Sequence, residues 1–518
     1  MKENPIALTL DFGTQSVRTA LIDCTGEIKA IKKKTYDKPY FSKEKGYAEQ
    51  DPDFYWETAF NCLKELTKEN KNLLPLIVGA SITTFRDTSV QLDENNKPIR
   101  PCILWLDQRM AKAKEKLPYF HTLAFSLVGM TETINLNRRR TAAHWLKENE
   151  PDIWSKTKKY VNISTYLIYK LTGRLADSPS SLTGHYPLNF KKRQWYKDGA
   201  LKGNIFGIKS NMLCDLVQPC EVIANIKDEI ADELGLPHGI KVYATGSDKA
   251  CETLGLGALS KDCGAISYGT ASTIEVSNQK YHEPEKFLPA YPAAVPNWYN
   301  MDVQIYRGYW MLTWFSKNFA GELKEDSKMH DISVEELLNY HLSDVPPGSD
   351  GLVLQPYWGP GLSRPLAKGA IIGFSDVHTR AHLYRAIIEG IAYALKECLE
   401  GIEKSQRHKV NHLMISGGGS QNDQICQITA DIFDLPVSRV QTYETTSIGC
   451  ATSIFLGAGI FKDIQEGMTK MSHVTTTFYP NEVASQQYKY LYRKVYLQMY
   501  PQLQDVYKDI NAFAKKHS

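Results

Sequence analysis

Two segments of this chain, about half its length apart, repeat one short pattern. Residues 6–22 contain an apolar, β-branched run, a Gly-Thr pair and a second such run, and residues 264–276 show the same order. The shared core, an aromatic residue followed by Gly-Thr-x-Ser, falls at residues 12–16 and 268–272. Such runs around a glycine are typical of two strands joined by a turn. A unit that occurs twice in 518 residues predicts two like domains, because a chain of this length exceeds one hydrophobic core.

Each repeated turn is suited to bind phosphate. Its glycine lets the backbone approach a ligand, while successive N–H groups and two hydroxyl groups offer donors to phosphate oxygens. Two such turns in two like domains predict a nucleotide that is gripped from both sides. A pair of ordinary β-hairpins would produce the same pattern, so this interpretation needs support from other residues.

The rest of the chain alternates between strand and helix patterns. Residues 76–82, 240–245 and 413–416 are runs that predict strands, whereas residues 383–402 and 424–433 have the spacing of amphipathic helices. Alternation of this kind predicts mixed α/β layers.

We divide the chain into two domains, residues 1–255 and residues 256–518. Residues 107–230 are poor in strand signals and predict an insertion that shapes a substrate pocket. Residues 484–517 predict a last helix that carries Tyr488, Tyr490, Tyr492, Tyr496 and Tyr500. Its aromatic face is expected to pack on the protein rather than to bind a ligand.

Composition argues against several classes of partner. The chain has 61 Lys and Arg residues against 58 Asp and Glu residues, with no long run of one sign, so neither nucleic acid nor a membrane is expected as a partner. No signal peptide or apolar span is evident, which predicts a cytoplasmic protein. The ten cysteines are scattered without zinc spacing and favour a reducing compartment over a disulfide framework. The oligomeric state is left open, a homo-oligomer included.

Asp11 is a candidate metal ligand. It ends the first strand, just before the Gly-Thr turn. A carboxylate beside a phosphate site needs a cation between them, so we interpret Asp11 as a ligand of Mg²⁺, directly or through water. A lone aspartate at a strand end is also a common turn former.

Asp248 is a candidate catalytic base. It follows a strand and the Gly246-Ser247 turn, and it precedes a helical pattern at residues 249–256. The residue is either the N-cap of that helix or the acceptor of a proton from an attacking hydroxyl. With an ordinary pKa of about 4 it would be ionised at neutral pH, as a proton acceptor requires.

Three further signals are weaker. The glycine triplet at residues 417–419 can lie flat against a planar ring or a ribose, or simply form a loop. Arg86 and Asp87 can hold neighbouring hydroxyls of a ligand, or form a surface ion pair. Asp51 and Pro52 predict a helix N-cap followed by proline at the first helical position.

Seven segments, taken in chain order, resemble the FGGY family of carbohydrate kinases, which includes glycerol kinase, xylulokinase, ribulokinase and gluconokinase. The likeness runs from Leu10 to about Pro480. The segments are LDFGTQSVRTALID at 10–23, GYAEQDP at 46–52, LWLDQR at 104–109, GSDKA at 246–250, YGTAS at 268–272, GAIIGFSDVHTRAHLYRAIIEG at 369–390 and SGGGSQND at 416–423. The family implies two actin-like, ribonuclease H-like ATPase domains, with ATP and substrate in the interdomain cleft.

The resemblance implies a role for each matching residue. Asp11 matches the metal-associated carboxylate, and Asp248 matches the catalytic base. The matches to ATP-binding positions are Thr14, Gln15 and Ser16 in the first phosphate loop, Gly269 and Thr270 in the second, and Gly417, Gly418 and Asn422 around the adenosine. The implied function is transfer of a phosphoryl group from ATP, with Mg²⁺, to a hydroxyl of a small sugar or polyol.

The residues that would contact the sugar fit no single member of the family. Arg86-Asp87 looks like the Arg-Glu pair of glycerol kinases rather than the Met-His pair of xylulokinases, and Trp105 matches a tryptophan of the glycerol type. Asn137 replaces an expected tyrosine, and the arginines at residues 138–140 face either an acidic sugar or solvent. Glycerol, another polyol, a ketose such as xylulose and an aldonate all stay open as substrates. The expected substrate-binding residues are Arg86, Asp87, Trp105 and Asp248.

Two other classes of protein compete with a kinase. A non-catalytic actin-like nucleotide-binding protein would use ATP only to drive closure, and it would not need a carboxylate at position 248. A sugar-responsive regulator would be expected to carry a basic nucleic-acid-binding module, which the charge pattern does not show.

Overall fold

The computed structural model describes residues 4–127, 129–285, 288–359, 364 and 366–517. The chain forms two compact units. The first comprises Met1–Gly257, Tyr291–Tyr299 and Glu444–Ser472, and the second comprises Ala258–Ala290, Asn300–Tyr443 and His473–Ser518. The division into domains of residues 1–255 and 256–518 stays a prediction, and the compact units differ from it in placing two later segments with the N-terminal part.

The strands are short to medium in length and are numbered here along the chain. They are β1 (Ile6–Phe12), β2 (Ser16–Asp23), β3 (Ile28–Thr35), β4 (Glu49–Gln50), β5 (Ile77–Thr84), β6 (Ser89–Leu92), β7 (Cys102–Ile103), β8 (Lys159–Asn162), β9 (Ala176–Asp177), β10 (Leu188–Asn189), β11 (Gln194–Trp195), β12 (Asp215–Leu216), β13 (Val222–Asn225), β14 (Lys241–Tyr243), β15 (Cys263–Tyr268), β16 (Ser272–Asn278), β17 (Tyr291–Pro292), β18 (Tyr299–Ile305), β19 (Val353–Gln355), β20 (Ala370–Ile372), β21 (His412–Gly417), β22 (Val437–Val440) and β23 (Val474–Phe478).

The helices are numbered in the same way. They are α1 (Pro52–Glu69), α2 (Tyr119–Leu127), α3 (Thr131–Arg140), α4 (Ala142–Asn149), α5 (Pro151–Lys156), α6 (Ile163–Thr172), α7 (Asp228–Leu234), α8 (Asp248–Gly255), α9 (Trp310–Phe319), α10 (Leu323–His330), α11 (Val334–Tyr340), α12 (Arg380–Gln406), α13 (Asp423–Phe433), α14 (Thr445–Gly457), α15 (Ile464–Met471), α16 (Glu482–Leu491) and α17 (Leu497–His517). Within the part of the chain that the structure describes, no helix combines the length and apolarity needed to traverse a bilayer.

Each unit is built on a sheet with the same plan. In the first unit the strand order is β3-β2-β1-β5-β14-β13, with β1 antiparallel to β2, parallel to β5, and β14 parallel to β5. In the second unit the order is β18-β16-β15-β21-β22-β23, with β15 antiparallel to β16, parallel to β21, and β22 parallel to β21. The last pair of each sheet is antiparallel. The predicted duplication is therefore a duplication of topology.

The two repeated turns differ by one residue in their pairing. In the first hairpin Phe12 pairs with Val17, and the Gly13 N–H donates to the Ser16 carbonyl at 2.9 Å. In the second hairpin the pairing closes between Tyr268 and Ser272. Both predicted strand-turn-strand units are confirmed. The second turn is one residue shorter than the first, although the two matching sequences have the same length.

Local signals were accurate for the main elements. Asp51 is the N-cap of α1, and its side chain accepts a hydrogen bond from the Asp53 N–H, with Pro52 at the start of the helix, as predicted. The last predicted helix is two helices, α16 and α17, joined by a π-helical turn at Tyr492–Tyr496. Four of its tyrosines are buried, which confirms a packing face, whereas Tyr490 is 65% exposed. The buried ones are Tyr488, Tyr492, Tyr496 and Tyr507.

A close crossing of α8 and α14 organises the first unit. A side chain at Gly255 would collide with the backbone of Thr445, and one at Gly449 would collide with the backbone carbonyl of Cys251. Because neither glycine has a side chain, the two helix backbones can touch. The crossing sets the height of α8 on the sheet, and therefore the position of Asp248 at its first turn.

We predict that Gly449→Ala lowers the free energy of unfolding by about 1–3 kcal/mol, since the added methyl group has no space. Urea denaturation of the purified protein measures the change. Gly401→Ala is a matched control in α12, where the new methyl group would meet nothing closer than a carbonyl oxygen at 3.8 Å. That control should gain up to about 1 kcal/mol from helix propensity. Equal effects of the two substitutions would contradict the crossing.

Candidate active site

Asp11 faces a basic residue across the first hairpin. The register of the sheet pairs it with Arg18 of β2 and with Thr83 of β5. Arg18 Nη1 lies 3.8 Å from Asp11 Oδ2, and Arg18 Nε lies 2.7 Å from Oε2 of Glu444, the residue before α14. One guanidinium thus bridges carboxylates that are more than 400 residues apart in sequence.

Burial has a large effect on Asp11. The residue is 5% exposed, and burial raises the pKa of its carboxyl to about 7. The charge of Arg18 lowers this pKa, whereas the carboxylates of Asp248, Glu444 and Glu252 raise it. These acidic groups are therefore close enough to interact, and negative charge accumulates at the carboxyl end of β1.

The turn before α8 holds Asp248. Thr83 Oγ1, at the end of β5, donates to the Gly246 carbonyl at 2.9 Å. Ser247 occupies the N-cap position of α8, and Asp248 is the first residue of the helix. Asp248 Oδ1 accepts a hydrogen bond from the Lys249 N–H at 2.8 Å. The structure thus gives the cap position to Ser247 rather than to the aspartate.

The pKa of Asp248 is not the ordinary value that the sequence led us to expect. Burial raises it, while the charges of Lys249 and Arg86 lower it by less. The expectation was wrong because it treated the aspartate as a solvated group at a helix start, whereas the fold partly buries it. A raised pKa makes the carboxylate a stronger proton acceptor.

Asp87 is fixed by a histidine from a distant segment. Its Oδ2 lies 2.6 Å from His185 Nδ1, and its Oδ1 accepts from the His185 N–H at 2.9 Å. Burial would raise the pKa of Asp87, but the charge and hydrogen bonds of His185 together with the charge of Arg86 outweigh it, and the pKa lies below its usual value. Asp87 also has a positive φ of 49°, and Gly184 packs directly on its carboxyl group. An aspartate held in this sparsely populated conformation is typical of a functional position.

Trp105 connects two of the predicted sites. Its indole Nε1 donates to Thr14 Oγ1 at 3.1 Å, and its backbone N–H donates to Thr88 Oγ1 at 3.2 Å. A residue predicted to contact the substrate therefore touches one predicted to contact phosphate. The guanidinium of Arg86 lies 5.8 Å from the ring centroid of Tyr291.

The turn of the second hairpin is held by hydrogen bonds from the segment before α9 and from its first residue. The carbonyls of Gly269 and Thr270 accept hydrogen bonds from the backbone N–H groups of Tyr309 and Trp310, at 3.0 and 3.3 Å. The ring of Tyr309 stacks on Tyr268, with centroids 4.4 Å apart. These contacts fix the backbone of the turn within the second unit.

Of the three glycines at residues 417–419, only Gly418 has open space beside its backbone. Gly417 has a φ of 81°, and a side chain there would collide with the Tyr268 backbone. Around Gly418, in contrast, a Cβ would meet nothing within 4 Å. Asn422 is the N-cap of α13, and its Oδ1 accepts from the Ile425 N–H at 3.0 Å. Its side-chain oxygen thus already has a structural partner.

Within the first unit the structure brings several predicted residues together. Asp11 interacts with Asp248, Asp248 with Arg86, and Trp105 with Thr14. Sequence reasoning missed three residues of this region. They are Arg18, His185 and Glu444. The hairpin register could have revealed Arg18, because it lies opposite Asp11 across a turn that was predicted.

We predict a pH dependence of stability that Asp11→Asn removes. A carboxyl group whose pKa is higher in the folded protein stabilises it below about pH 4 and loses that contribution as the pH rises through about 7. Without divalent cations, Asp11→Asn should therefore gain stability over the natural protein between pH 4 and pH 8, on the order of 2–4 kcal/mol. Urea denaturation across this range measures the gain.

Asp23→Asn is a control of opposite sign. Burial opposes ionisation of Asp23, but hydrogen bonds from Thr25, Lys29 and the Glu27 N–H together outweigh it and lower the pKa. Asp23 therefore stabilises the folded protein at neutral pH and loses this contribution in acid. If both variants changed the pH profile in the same direction, the assignment of a raised pKa to Asp11 would be refuted.

Comparison with known proteins identifies the family of the chain. The model of the FGGY family of carbohydrate kinases, N-terminal domain, matches residues 6–255, and the model of the C-terminal domain matches residues 264–456. A xylulose kinase of Lactococcus lactis is 30% identical over 509 residues, which cover 96% of this chain and 97% of the relative. A gluconokinase of Bacillus subtilis is 26% identical over 499 residues, which cover 93% of each.

Solved structures share the fold. A ligand-bound xylulose kinase from Lactobacillus acidophilus superposes with a TM-score of 0.81 at 22% identity, covering 98% of this chain and all of the other. A gluconate kinase from the same organism gives a TM-score of 0.82 at 22% identity with the same coverage. These neighbours are sugar kinases with an actin-like ATPase fold. The chain belongs to the FGGY family of carbohydrate kinases and is an ATP-dependent kinase of a sugar or polyol.

Proposed function

We propose that this enzyme phosphorylates a hydroxyl of a small ketose or polyol, with Asp248 as the general base. The observation that carries the proposal is the environment of Asp248, a carboxylate with a raised pKa at the first turn of α8, beside the charge of Arg86. A kinase base must accept the proton of the attacking hydroxyl while the oxygen bonds to the γ-phosphorus and ADP leaves.

Each neighbour of Asp248 has a part in this step. The Lys249 N–H donates to Oδ1 and orients the carboxyl group, and the Thr83 hydroxyl holds the turn that carries it. The charges of Lys249 and Arg86 lower the pKa of the carboxyl group and so oppose the burial that raises it. The rise in pKa increases the basicity of a group that still has to be ionised in order to act.

A divalent cation fits the charges around Asp11. Four carboxylates interact there, and the salt bridges of Arg18 and Lys249 supply two positive charges. Among the described residues, no three ligand groups surround one point. Mg²⁺ keeps several waters and binds phosphate oxygens, so Asp11 would hold it through water, and the ion would neutralise charge on the phosphates of ATP. The four carboxylates that interact around Asp11, with Asp11 included, are Asp11, Asp248, Glu252 and Glu444.

The two repeated turns and the glycine triplet are proposed to bind ATP. In the first unit the backbone of the Gly13 turn and the hydroxyls beside it offer donors to phosphate oxygens. In the second unit the backbone around Gly418 is open enough to lie against the adenosine. The proposed ATP-binding residues are Thr14, Gln15, Ser16, Gly269, Thr270, Gly417, Gly418 and Asn422.

The charges favour a neutral substrate over an acidic one. The charges of His185 and Arg86 lower the pKa of Asp87, so its carboxylate can accept hydrogen bonds from neighbouring hydroxyls of a ligand. Arg86 precedes Asp87 in sequence, and the Trp105 N–H donates to Thr88, the residue after it. The carboxylates near Asp11 would repel an aldonate. The relatives named xylulose kinase make a ketose the first substrate to test.

Use of ATP and ten free cysteines support a cytoplasmic enzyme.

We predict that Asp248→Asn lowers kcat by about 10³-fold or more, because the amide cannot accept the proton. ATP affinity, measured by titration calorimetry, should stay within about twofold of the natural enzyme. Asp228→Asn is the matched control, since Asp228 is also the first residue of a short helix in the same unit. That control should leave kcat unchanged, and undiminished turnover of Asp248→Asn would remove Asp248 from the mechanism.

A substrate panel tests the class of acceptor. We expect ATP consumption coupled to ADP detection to show the highest kcat/KM with a ketose such as D-xylulose or a polyol such as ribitol or glycerol. D-Gluconate should be at least about tenfold worse, because its carboxylate would face carboxylates. A preference for gluconate would refute the neutral-substrate proposal while leaving the role of Asp248 intact.

A further inference from the structure

Three stretches of the first unit are buried except for two adjacent residues in each. The stretches are residues 79–92, 176–188 and 242–256, and the exceptions are residues 86–87, 184–185 and 248–249. The Ser247 N–H donates to the Ser180 carbonyl at 3.1 Å, and the charge of Arg86 acts on Asp248. These contacts bring the three stretches together around the proposed base, and each of them reaches solvent there.

His185 is bound to Asp87 through only one of its ring nitrogens, Nδ1. The low pKa of Asp87 makes its carboxylate the acceptor at neutral pH, so Nδ1 carries a hydrogen atom and donates it. The backbone N–H of His185 donates to the same carboxyl group. Together these two bonds fix the orientation of the imidazole ring.

The second ring nitrogen, Nε2, is available to a ligand. It has no hydrogen-bond partner among the residues that the structure describes. The side chains of His185 and Asp87 are 24% and 30% exposed, so a ligand can reach both. With a hydrogen on Nδ1, Nε2 accepts a hydrogen bond when the ring is neutral and donates one when the ring is charged. A hydroxyl group can pair with either form, because it both donates and accepts.

A histidine that served only to hold Asp87 would have no need to reach solvent. His144, in the same unit, shows the purely structural case, since it is 2% exposed and its Nε2 bonds the Ile205 carbonyl. His185 differs because it keeps a polar atom unpaired at the surface where the proposed base also emerges. This difference favours contact with a ligand.

We propose that His185 binds the substrate directly, with its Nε2 bonded to one hydroxyl of the sugar or polyol while Asp87 accepts from a neighbouring hydroxyl. The inference rests on the proposed function, because both hydroxyls belong to the molecule that Asp248 deprotonates. The acceptor therefore needs a hydroxyl for Asp87 and another for His185, besides the one that is phosphorylated. His185 is thereby a determinant of specificity, since an analogue without its hydroxyl leaves Nε2 unpaired.

His185→Asn separates the contact with the ligand from the contact with Asp87. The amide nitrogen of asparagine is as many bonds from Cα as Nδ1 is, so it can still donate to Asp87, but no atom replaces Nε2. We expect KM for the acceptor to rise roughly three- to tenfold, the effect of one lost hydrogen bond. Both kcat and KM for ATP should stay within about twofold of the natural enzyme. His185→Ala, which also releases Asp87, should raise KM for the acceptor further.

These constants are measured by ADP release, with whichever of D-xylulose, ribitol and glycerol the natural enzyme uses best. Monodeoxy analogues of that acceptor identify the contacted hydroxyl. Its absence should lower kcat/KM of the natural enzyme roughly three- to tenfold, whereas His185→Asn should not distinguish that analogue from the parent acceptor. His238→Asn is the matched control, because His238 also bonds an aspartate, Asp232, in the first unit. That control should leave every constant unchanged.

The natural enzyme also supplies a test that does not depend on the folding of a variant. Besides the phosphorylated hydroxyl, one hydroxyl should be needed for Asp87 and another for His185, so sensitivity to only one of them would overturn the proposal. An unchanged KM in a folded His185→Asn would also overturn it, while leaving the proposed function intact. If the natural enzyme phosphorylated none of the three acceptors, the proposed substrate class would fail, and the role of His185 with it.

Discussion

The contact between the backbones of α8 and α14 is the constraint on which the candidate active site depends. Gly255 and Gly449 lack side chains where the helices touch, so the backbones of α8 and α14 can pack in direct contact. Its first residue, Asp248, then comes within electrostatic reach of Asp11 at the end of β1. The same approach brings Glu444, at the start of α14, to Arg18. A larger residue at the crossing would separate groups whose chemistry depends on proximity.

The electrostatic design follows from that proximity. Carboxylates crowd around Asp11, and burial with mutual repulsion raises its pKa to about 7. Such an arrangement is unfavourable for the protein alone and favourable once positive charge arrives. Asp87 shows the opposite arrangement, because His185 compensates its burial and keeps its pKa low. The two aspartates therefore suit different tasks, one beside a cation and one beside hydroxyl groups.

Sequence reasoning was strongest where a signal was local. The two hairpins, the main strands and helices and the cap at Asp51 follow from patterns within a few residues of each other, and the duplicated topology followed from the repeated turn. His185 was missed because its partner Asp87 lies 98 residues earlier, and no local sequence pattern at either residue indicates that they interact. Glu444 is 426 residues from Arg18. The raised pKa values were also out of reach, since burial is a property of the whole fold.

The late segment that completes the first unit has a consequence for synthesis. Helix α14 belongs to that unit, yet the ribosome makes it after most of the second unit. Until then, the face of the first sheet that carries Ala7, Ile22 and Tyr243 lacks the cover of Ile454 and Phe455, with which it forms one buried cluster. A nascent chain of the first 257 residues therefore exposes an apolar surface. That surface stays exposed until the later segment is made, unless a chaperone binds it.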